Sequence, residues 1–489
     1  RCGTIDEKYA KEKGEHMTKT KRKTGRWILL FILLILLYEA AGACLPFAFQ
    51  KTVSDSYKKT VDVPAFYGSG PGRERAGIVE TNMGALDTRL AMFREAKKNI
   101  IISTFDIREG KSTDDTFAAL INAADRGVKV QILVDGLYGM LHMNGKSVFQ
   151  AAGSHPNIEI RFYNEPNFLK PWTINGRLHD KYVVADDSLL LMGGRNMFDY
   201  FIGDDSRGSI GYDREVLLYS KKPEQKNGAI PQVLSYFKRV WNSSDCKTVF
   251  EGDPQREKTK SEIKYLSRRY QSIKKKLPSK TDWVKQTVPV KKASFVTNPV
   301  HIGNKEPYVW YTMQQLMLTA KKDVTIQTPY AVFSKDMYKG MEELTGKVPN
   351  VEMLVNSTAV GDNFIASSDY TRNRSKVLKT GPRVYEFFGD HSCHGKSIAI
   401  DDRLSVIGSY NFDMRSTYLD TETMLVLDSP ELNRELRTNM DKLKDQSLEI
   451  NKKEQYFPKQ GVTQKEPENS KKLLFKFSSL FIQLFRYLA

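Results

Sequence analysis

At 489 residues the chain is long enough for two domains with substantial cores, and its 40% hydrophobic content is ordinary for a globular protein. A formal net charge of +17 calls for an anionic partner, and charge alone does not separate nucleic acid from an anionic membrane surface. Cys2, Cys44, Cys246 and Cys393 make no CxxC pair or zinc-like spacing, so neither a metal site nor a disulfide framework is indicated; a Cys246–Cys393 bridge is left open.

Residues 1–26 form a basic N-terminal segment. Lys13, Gly14, Glu15 and His16 before Met17 are what a purine-rich ribosome-binding site encodes when translated, so residues 1–16 read as non-native upstream sequence. Lys19, Lys21, Arg22, Lys23 and Arg26 then precede an apolar run over 27–49, interrupted at Glu39. Positive charge ahead of such a run predicts a single-pass anchor with a cytoplasmic N-terminus and the rest of the chain extracytoplasmic, at a bacterial cell membrane. A cleaved signal peptide is the rival reading, since Ala41, Gly42 and Ala43 resemble a small-residue cleavage site ahead of Cys44, itself a candidate for lipidation. The anchor is the preferred reading of the three.

Residues 50–77, with Pro64, Gly68, Gly70, Pro71 and Gly72, read as a linker. A helix over Met83–Lys98, a strand over Ile100–Phe105, a helix over Thr116–Arg126 and a strand over Val128–Val134 follow. The order recurs as helix Val309–Lys321, strand Val324–Thr328, helix Met337–Leu344 and strand Val351–Val355. This alternation predicts a duplicated α/β domain with a mixed or mainly parallel sheet, one lobe over 78–250 and the other over 297–430. Between them, 251–296 is a basic connector in which Ile263, Leu266, Tyr270, Ile273 and Leu277 mark an amphipathic helix, read as packing on the core in preference to lipid. The tail, 431–489, ends in a second amphipathic stretch for which an interfacial helix and a docked helix are both open.

Each half carries one copy of a motif: His179, Lys181, Asp186, Gly193, Gly194 and Asn196 recur at the same spacing as His394, Lys396, Asp401, Gly408, Ser409 and Asn411. Cleaving a phosphodiester needs a nucleophile, a proton donor for the leaving oxygen and positive charge for the phosphoryl oxygens. Two histidines can divide the first two tasks, while Lys181, Lys396, Asn196 and Asn411 hold the oxygens; no metal or cofactor is called for. Residues two apart on a strand share a face, so His and Lys are expected side by side on a strand that turns at Asp186 or Asp401 and returns to deliver the asparagine. Glu215 and Glu422, 36 and 28 residues beyond their histidines, are candidates to hydrogen-bond the second imidazole nitrogen.

The paired motif resembles that of the phospholipase D superfamily. Gly193-Gly194-Arg195-Asn196 with Asp199, Tyr200 and Phe201, and Gly408 to Asp413 with Arg415, Ser416, Thr417 and Glu422, are similar to C-type bacterial cardiolipin synthases over residues of roughly 80 to 430. The resemblance implies two α/β lobes related by pseudo-twofold symmetry, with the site in the cleft between them. It also implies that His179 is the nucleophile that forms a phosphohistidine and His394 the general acid, later base. Met414 departs from the Pro of many relatives and Gly194 from a Ser, neither position being expected to carry chemistry. His391 and Cys393 read as packing or cleft lining. The implied activity is a phosphatidyltransferase acting on phosphatidylglycerol and, as a second substrate, phosphatidylethanolamine, at an anionic membrane surface. A phospholipase D that hydrolyses to phosphatidic acid is the close alternative; a nuclease ranks third, and no nucleic-acid partner is expected.

Overall fold

In the computed structural model, which describes residues 3–70, 72–204, 208–221 and 228–489, two mixed β-sheets repeat one plan. Cys2 and the side chains of Lys19 and Arg22 lie outside the described residues. The first sheet is built from β1 (Glu74–Val79), β2 (Asn99–Thr104), β3 (Lys129–Asp135), β4 (Ile158–Tyr163), β5 (Tyr182–Ala185), β6 (Leu189–Gly193), β7 (Glu215–Ser220), β8 (Cys246–Val249) and β9 (Val288–Pro289). Their spatial order is β9-β1-β7-β6-β5-β2-β3-β4-β8. The second sheet uses β10 (Lys292–Thr297), β11 (Asp323–Gln327), β12 (Asn350–Asn356), β13 (Arg383–Phe387), β14 (Ser397–Ile400), β15 (Leu404–Gly408), β16 (Thr423–Asp428) and β17 (Ser447–Ile450). Its order, β10-β16-β15-β14-β11-β12-β13-β17, matches the first strand for strand apart from the extra edge β9. In each, three neighbouring strands run parallel (β2-β3-β4, β11-β12-β13) and the other pairings are antiparallel. The fold is the duplicated α/β arrangement that the repeated helix–strand pattern implies.

Alternation along the strands sorts side chains between two cores. Ile100, Ile102, Val183, Leu189 and Leu191 face the helices α2 (Asn82–Glu95) and α3 (Lys111–Asp125), whereas Ile101, Tyr182, Val184, Leu190 and Met192 face the other way. That second face packs against Ala399, Ile407, Leu425 and Leu427 of the other lobe. The two sheets therefore lie face to face under a shared apolar seam, each covered outside by helices.

The lobes overrun the boundaries expected from sequence. The second sheet begins at Lys292, inside the basic connector, and ends at Ile450, inside the tail. Within the connector, helix α4 (Glu257–Lys274) lays Leu266, Tyr270 and Ile273 into the first lobe's core, each contributing about 1.5–3 kcal/mol of burial. Residues of the expected linker lie against the second lobe: Tyr57 stacks on Tyr308 with ring centroids 3.5 Å apart and its hydroxyl meets Thr312 Oγ1 at 2.9 Å. At the N-terminus, helix α1 (Gly3–Cys44) contributes to a segment, Lys23–Phe47, long and apolar enough to cross a membrane. The cysteines Cys44, Cys246 and Cys393 are free thiols, so the Cys246–Cys393 bridge left open by the sequence is not formed.

Candidate active site

Each motif is placed by a hairpin. In the first lobe β5 pairs with β6, and Gly193 N–H donates to Lys181 O at 3.1 Å; in the second β14 pairs with β15, and Gly408 N–H donates to Lys396 O at 3.3 Å. His179 and Lys181 lie just before β5 and do not belong to the strand; the Lys181 carbonyl still pairs within the hairpin, and the His179 backbone reaches across the seam. His179 N–H donates to Thr421 Oγ1 of the second lobe at 3.0 Å, and His394 N–H donates to Tyr212 O of the first at 2.5 Å. Both histidines, both asparagines and Arg415 line one cleft of about 490 Å³ between the lobes.

The carboxylates are exchanged between lobes. His179 Nδ1 lies 2.8 Å from Glu422 Oε1, and His394 Nδ1 lies 2.6 Å from Asp213 Oδ2. Asp213, not Glu215, is thus the first lobe's partner carboxylate. Glu215 is fully buried and receives two bonds from the Arg89 guanidinium, at 2.8 and 2.5 Å, which keeps it away from either imidazole. The signal for Asp213 lay in hairpin register. Gly194 N–H donates to Arg214 O as Ser409 N–H donates to Thr423 O, so the residue before each acceptor, Asp213 or Glu422, occupies the equivalent place. Glu215 sits two residues further along.

With Nδ1 occupied by a carboxylate, each imidazole presents Nε2 as its reactive nitrogen. The side chains of His179 and His394 retain only 12% and 10% exposure. Burial, aided by Lys181 and Lys396, holds His179 well below the usual imidazole range. Burial and Lys396 also lower His394, but Asp213 opposes them. Burial would raise Asp213, yet Lys396 and the His394 hydrogen bond hold it at about 2, whereas burial pushes Glu422 up to about 7. The His394 pair therefore keeps a fixed negative charge and the His179 pair a weaker one.

Lys181 Nζ donates to His179 O at 2.7 Å, and burial lowers its ammonium to about 7. Lys396 Nζ donates to His394 O and stands 3.2 Å from His394 Nε2. It also lies 2.6 Å from Nδ1, but that nitrogen cannot donate to Asp213 and accept from the ammonium together, and the carboxylate is the stronger claimant. Asn196 and Asn411 are buried in the cleft and the Oδ1 of each has no hydrogen-bond partner, so neither amide is tied down on that side.

Asp186 and Asp401 lie elsewhere. Each adopts a positive φ, 55° and 46°, and accepts backbone N–H groups, Lys97, Lys98 and Asn99 for Asp186, and Lys321, Lys322 and Asp323 for Asp401. Asp186 lies five residue steps beyond Lys181, about 16 Å along a strand, so this aspartate fastens the far end of the hairpin and does not touch the cleft. Asp199 caps α3 through the N–H groups of Lys111 and Ser112, and the Phe201 ring packs on His394 with centroids 4.9 Å apart. Met414 opens a short helix, Met414–Tyr418, whose first position suits proline. Ser409 donates its hydroxyl to Glu422 Oε2 and so bears on His179. His391 packs on Tyr212 at 5.6 Å, and buried Cys393 Sγ receives Gln327 Nε2 at 3.1 Å.

A family profile described as "Cardiolipin synthase, PLD-like domain" matches residues 90–241 and 313–444, one stretch in each lobe. Cardiolipin synthase C of Escherichia coli is 25% identical over 470 residues, covering 84% of this chain and 95% of that protein. An uncharacterized protein of Helicobacter pylori is 25% identical over 424 residues, covering 78% of this chain and 81% of that protein. Among solved structures, phosphatidylserine synthase from Haemophilus influenzae shares the fold, with a TM-score of 0.62 at 15% identity over 89% of this chain and all of that one. Since the profile spans more than half of the residues and places one copy on each side of the cleft, the chain belongs to the phospholipase D superfamily, in the family of the cardiolipin synthase domain.

Proposed function

We propose that the protein is a membrane-anchored phosphatidyltransferase of the cardiolipin synthase type, working through a phosphohistidine. The observation that carries this reading is the crossed pairing: two histidines in one cleft, each with Nδ1 on a carboxylate of the opposite lobe and Nε2 left for chemistry. His179, held toward its neutral form by burial and the neighbouring lysines, attacks phosphorus through Nε2. His394, beside a carboxylate that stays ionised, carries the proton to the leaving alcohol oxygen and then withdraws one from the incoming hydroxyl. Glu422 and Asp213 fix the tautomers. Lys181, Lys396, Asn196 and Asn411 hold the non-bridging oxygens, whose charge grows as the phosphorus becomes five-coordinate. Asp186 and Asp401 serve as positioning residues for the hairpins.

Phosphatidylglycerol is the proposed donor and acceptor, with phosphatidylethanolamine as a second donor. In this reading Lys23–Phe47 is the anchor, and the positive charge ahead of it supports a cytoplasmic N-terminus with the lobes at the outer face. Full-length protein in mixed phosphatidylglycerol and phosphatidylethanolamine vesicles, followed by mass spectrometry, should form cardiolipin and release glycerol or ethanolamine. Phosphatidic acid as the sole product would replace the transferase by a hydrolase, and cleavage of DNA alone would overturn the lipid reading.

A further inference from the structure

Helix α6 (Asn469–Phe485) is amphipathic with its faces reversed. The side turned to protein, against α5 (Phe364–Lys379), is mostly polar around one buried ring, Phe475, which packs on Phe364 with centroids 5.2 Å apart. Ser478 Oγ lies 3.1 Å from Ser368 Oγ, Gln483 Nε2 donates to Asp369 Oδ1 at 2.9 Å, and Arg486, just past the helix, pairs with Asp369 at 2.9 Å. Its apolar side is turned outward: Phe477, Leu480, Phe481 and Leu484 are 53–70% exposed at helical spacing. A water-facing helix normally shows the opposite arrangement. A second apolar patch stands on the loop before His179, where Phe168 and Leu169 are 78% and 80% exposed.

The end of the membrane-crossing segment lies between the two patches. Tyr38 hydroxyl donates to Leu169 O at 2.8 Å, and Asn175 Nδ2 donates to Ala43 O at 2.6 Å. On the other side, Phe47 packs with Met414, Tyr418 and Leu419, and Tyr487 and Leu488 join this cluster directly after α6. The cleft shares the same border, since Ala43, Ile174, Ile365 and Leu488 are among its lining.

We infer that the lipid monolayer crossed by α1 also takes up the outward face of α6 and the loop at Phe168 and Leu169, which together form a collar around the mouth of the cleft. A phospholipid then passes from the monolayer to the histidines along an apolar border. Two features identify lipid as the occupant. Both patches are continuous with a segment whose own apolar surface needs a bilayer, and a protein covering this face would compete with that bilayer for it. Lys476 is exposed on α6, as expected of a helix resting on anionic headgroups.

The collar extends the functional reading but is tested without turnover. A photoreactive p-benzoylphenylalanine replaces Phe481 or Leu169 in the full chain, and Tyr265 on the solvent side of α4 serves as control; each protein is reconstituted in phosphatidylglycerol and phosphatidylethanolamine vesicles and irradiated. Phospholipid adducts at both Phe481 and Leu169, with none at Tyr265, are expected. Absence of lipid at either collar position, equal labelling at Tyr265, or cross-linking of Phe481 to a second protein overturns the inference. Adducts in a protein inactive toward every lipid would leave the collar standing and remove the proposed reaction. In an active preparation, F481D/L484D should lower turnover of vesicle phosphatidylglycerol at least tenfold and leave turnover of monomeric dihexanoyl-phosphatidylglycerol unchanged; equal losses on both overturn the collar.

Discussion

Ser409 and Gly194 hold the same place in the two motifs, yet the Ser409 hydroxyl donates to Glu422 while any side-chain carbon at Gly194 would come within 2.4 Å of Asp213 Oδ1. The difference is one of room: lobe two places a donor where lobe one places the carboxylate itself. A hydrogen bond to a charged group contributes about 1.5–3 kcal/mol, so S409A is expected to lower kcat about 10- to 100-fold by loosening Glu422 from His179. G194S should instead displace Asp213 and lose stability, about 1–3 kcal/mol by overpacking. Steady-state kinetics and thermal unfolding of the two variants check this split; a silent S409A would remove Glu422 positioning from the account.

Asp213 and Glu215 make a second contrast. D213N leaves His394 without its anionic partner, and kcat is expected to fall by roughly 10²–10⁴ with little change in melting temperature. E215Q leaves the buried Arg89 guanidinium without its counter-charge, which costs about 3–5 kcal/mol of stability. Its remaining folded fraction should turn over normally. Reversed effects, measured by kinetics beside denaturation, would return Glu215 to the site.

The roles of the histidines separate with a substrate whose leaving group needs no proton. H179A and H394A should each lose at least about 10³-fold in activity on natural lipid. With a p-nitrophenyl phosphodiester, H394A should still accumulate the covalent adduct and H179A should not. Intact-mass and peptide analysis reads the adduct; its appearance on His394 in the H179A protein would exchange the assignments.

Lys181 supplies a pH limit. Its ammonium is lowered to about 7, so the free enzyme loses this positive charge as pH rises through about 7, and kcat/KM should decline from there. A guanidinium does not titrate in that range. In K181R the alkaline limb should move to higher pH even if the maximum drops. An unshifted limb in the pH–rate profile would assign the decline to another group.

Asp186 and Asp401 are expected to matter to folding. D186A or D401A removes the acceptor of three backbone N–H groups at a residue of positive φ, with a loss of about 1–3 kcal/mol in thermal unfolding. D186N should recover part of it, since asparagine both accepts and tolerates that conformation. Loss of kcat at a temperature where D186A is fully folded would place this carboxylate in the chemistry after all.

The sequence made the two lobes legible because the strand and helix periods repeat in the same order on both sides of the basic connector. His179, Lys181, His394 and Lys396 stood out by spacing, and the hairpins that carry them follow from β-branched runs ending at Asp186 and Asp401. Asp213 was hidden because two acidic residues lie two positions apart and only the register in which their strand pairs with the motif hairpin distinguishes them. The exchange of carboxylates was hidden for the same reason: periodicity describes one strand, not which lobe it meets. The C-terminal helix was recognisable as amphipathic, but a stripe does not say which side the protein takes; the bonds of Ser478, Gln483 and Arg486 to α5 decide that.

The crossed pairs make the reaction depend on the seam as a whole. Each imidazole owes its tautomer to a residue of the other lobe, so parting the lobes by the width of one water molecule would disarm nucleophile and acid together. Neither half can idle in a partly competent state. Closure acts as a single latch on both chemical steps, and apolar residues such as Leu190, Ile407 and Leu425, far from any phosphate, set how firmly it holds.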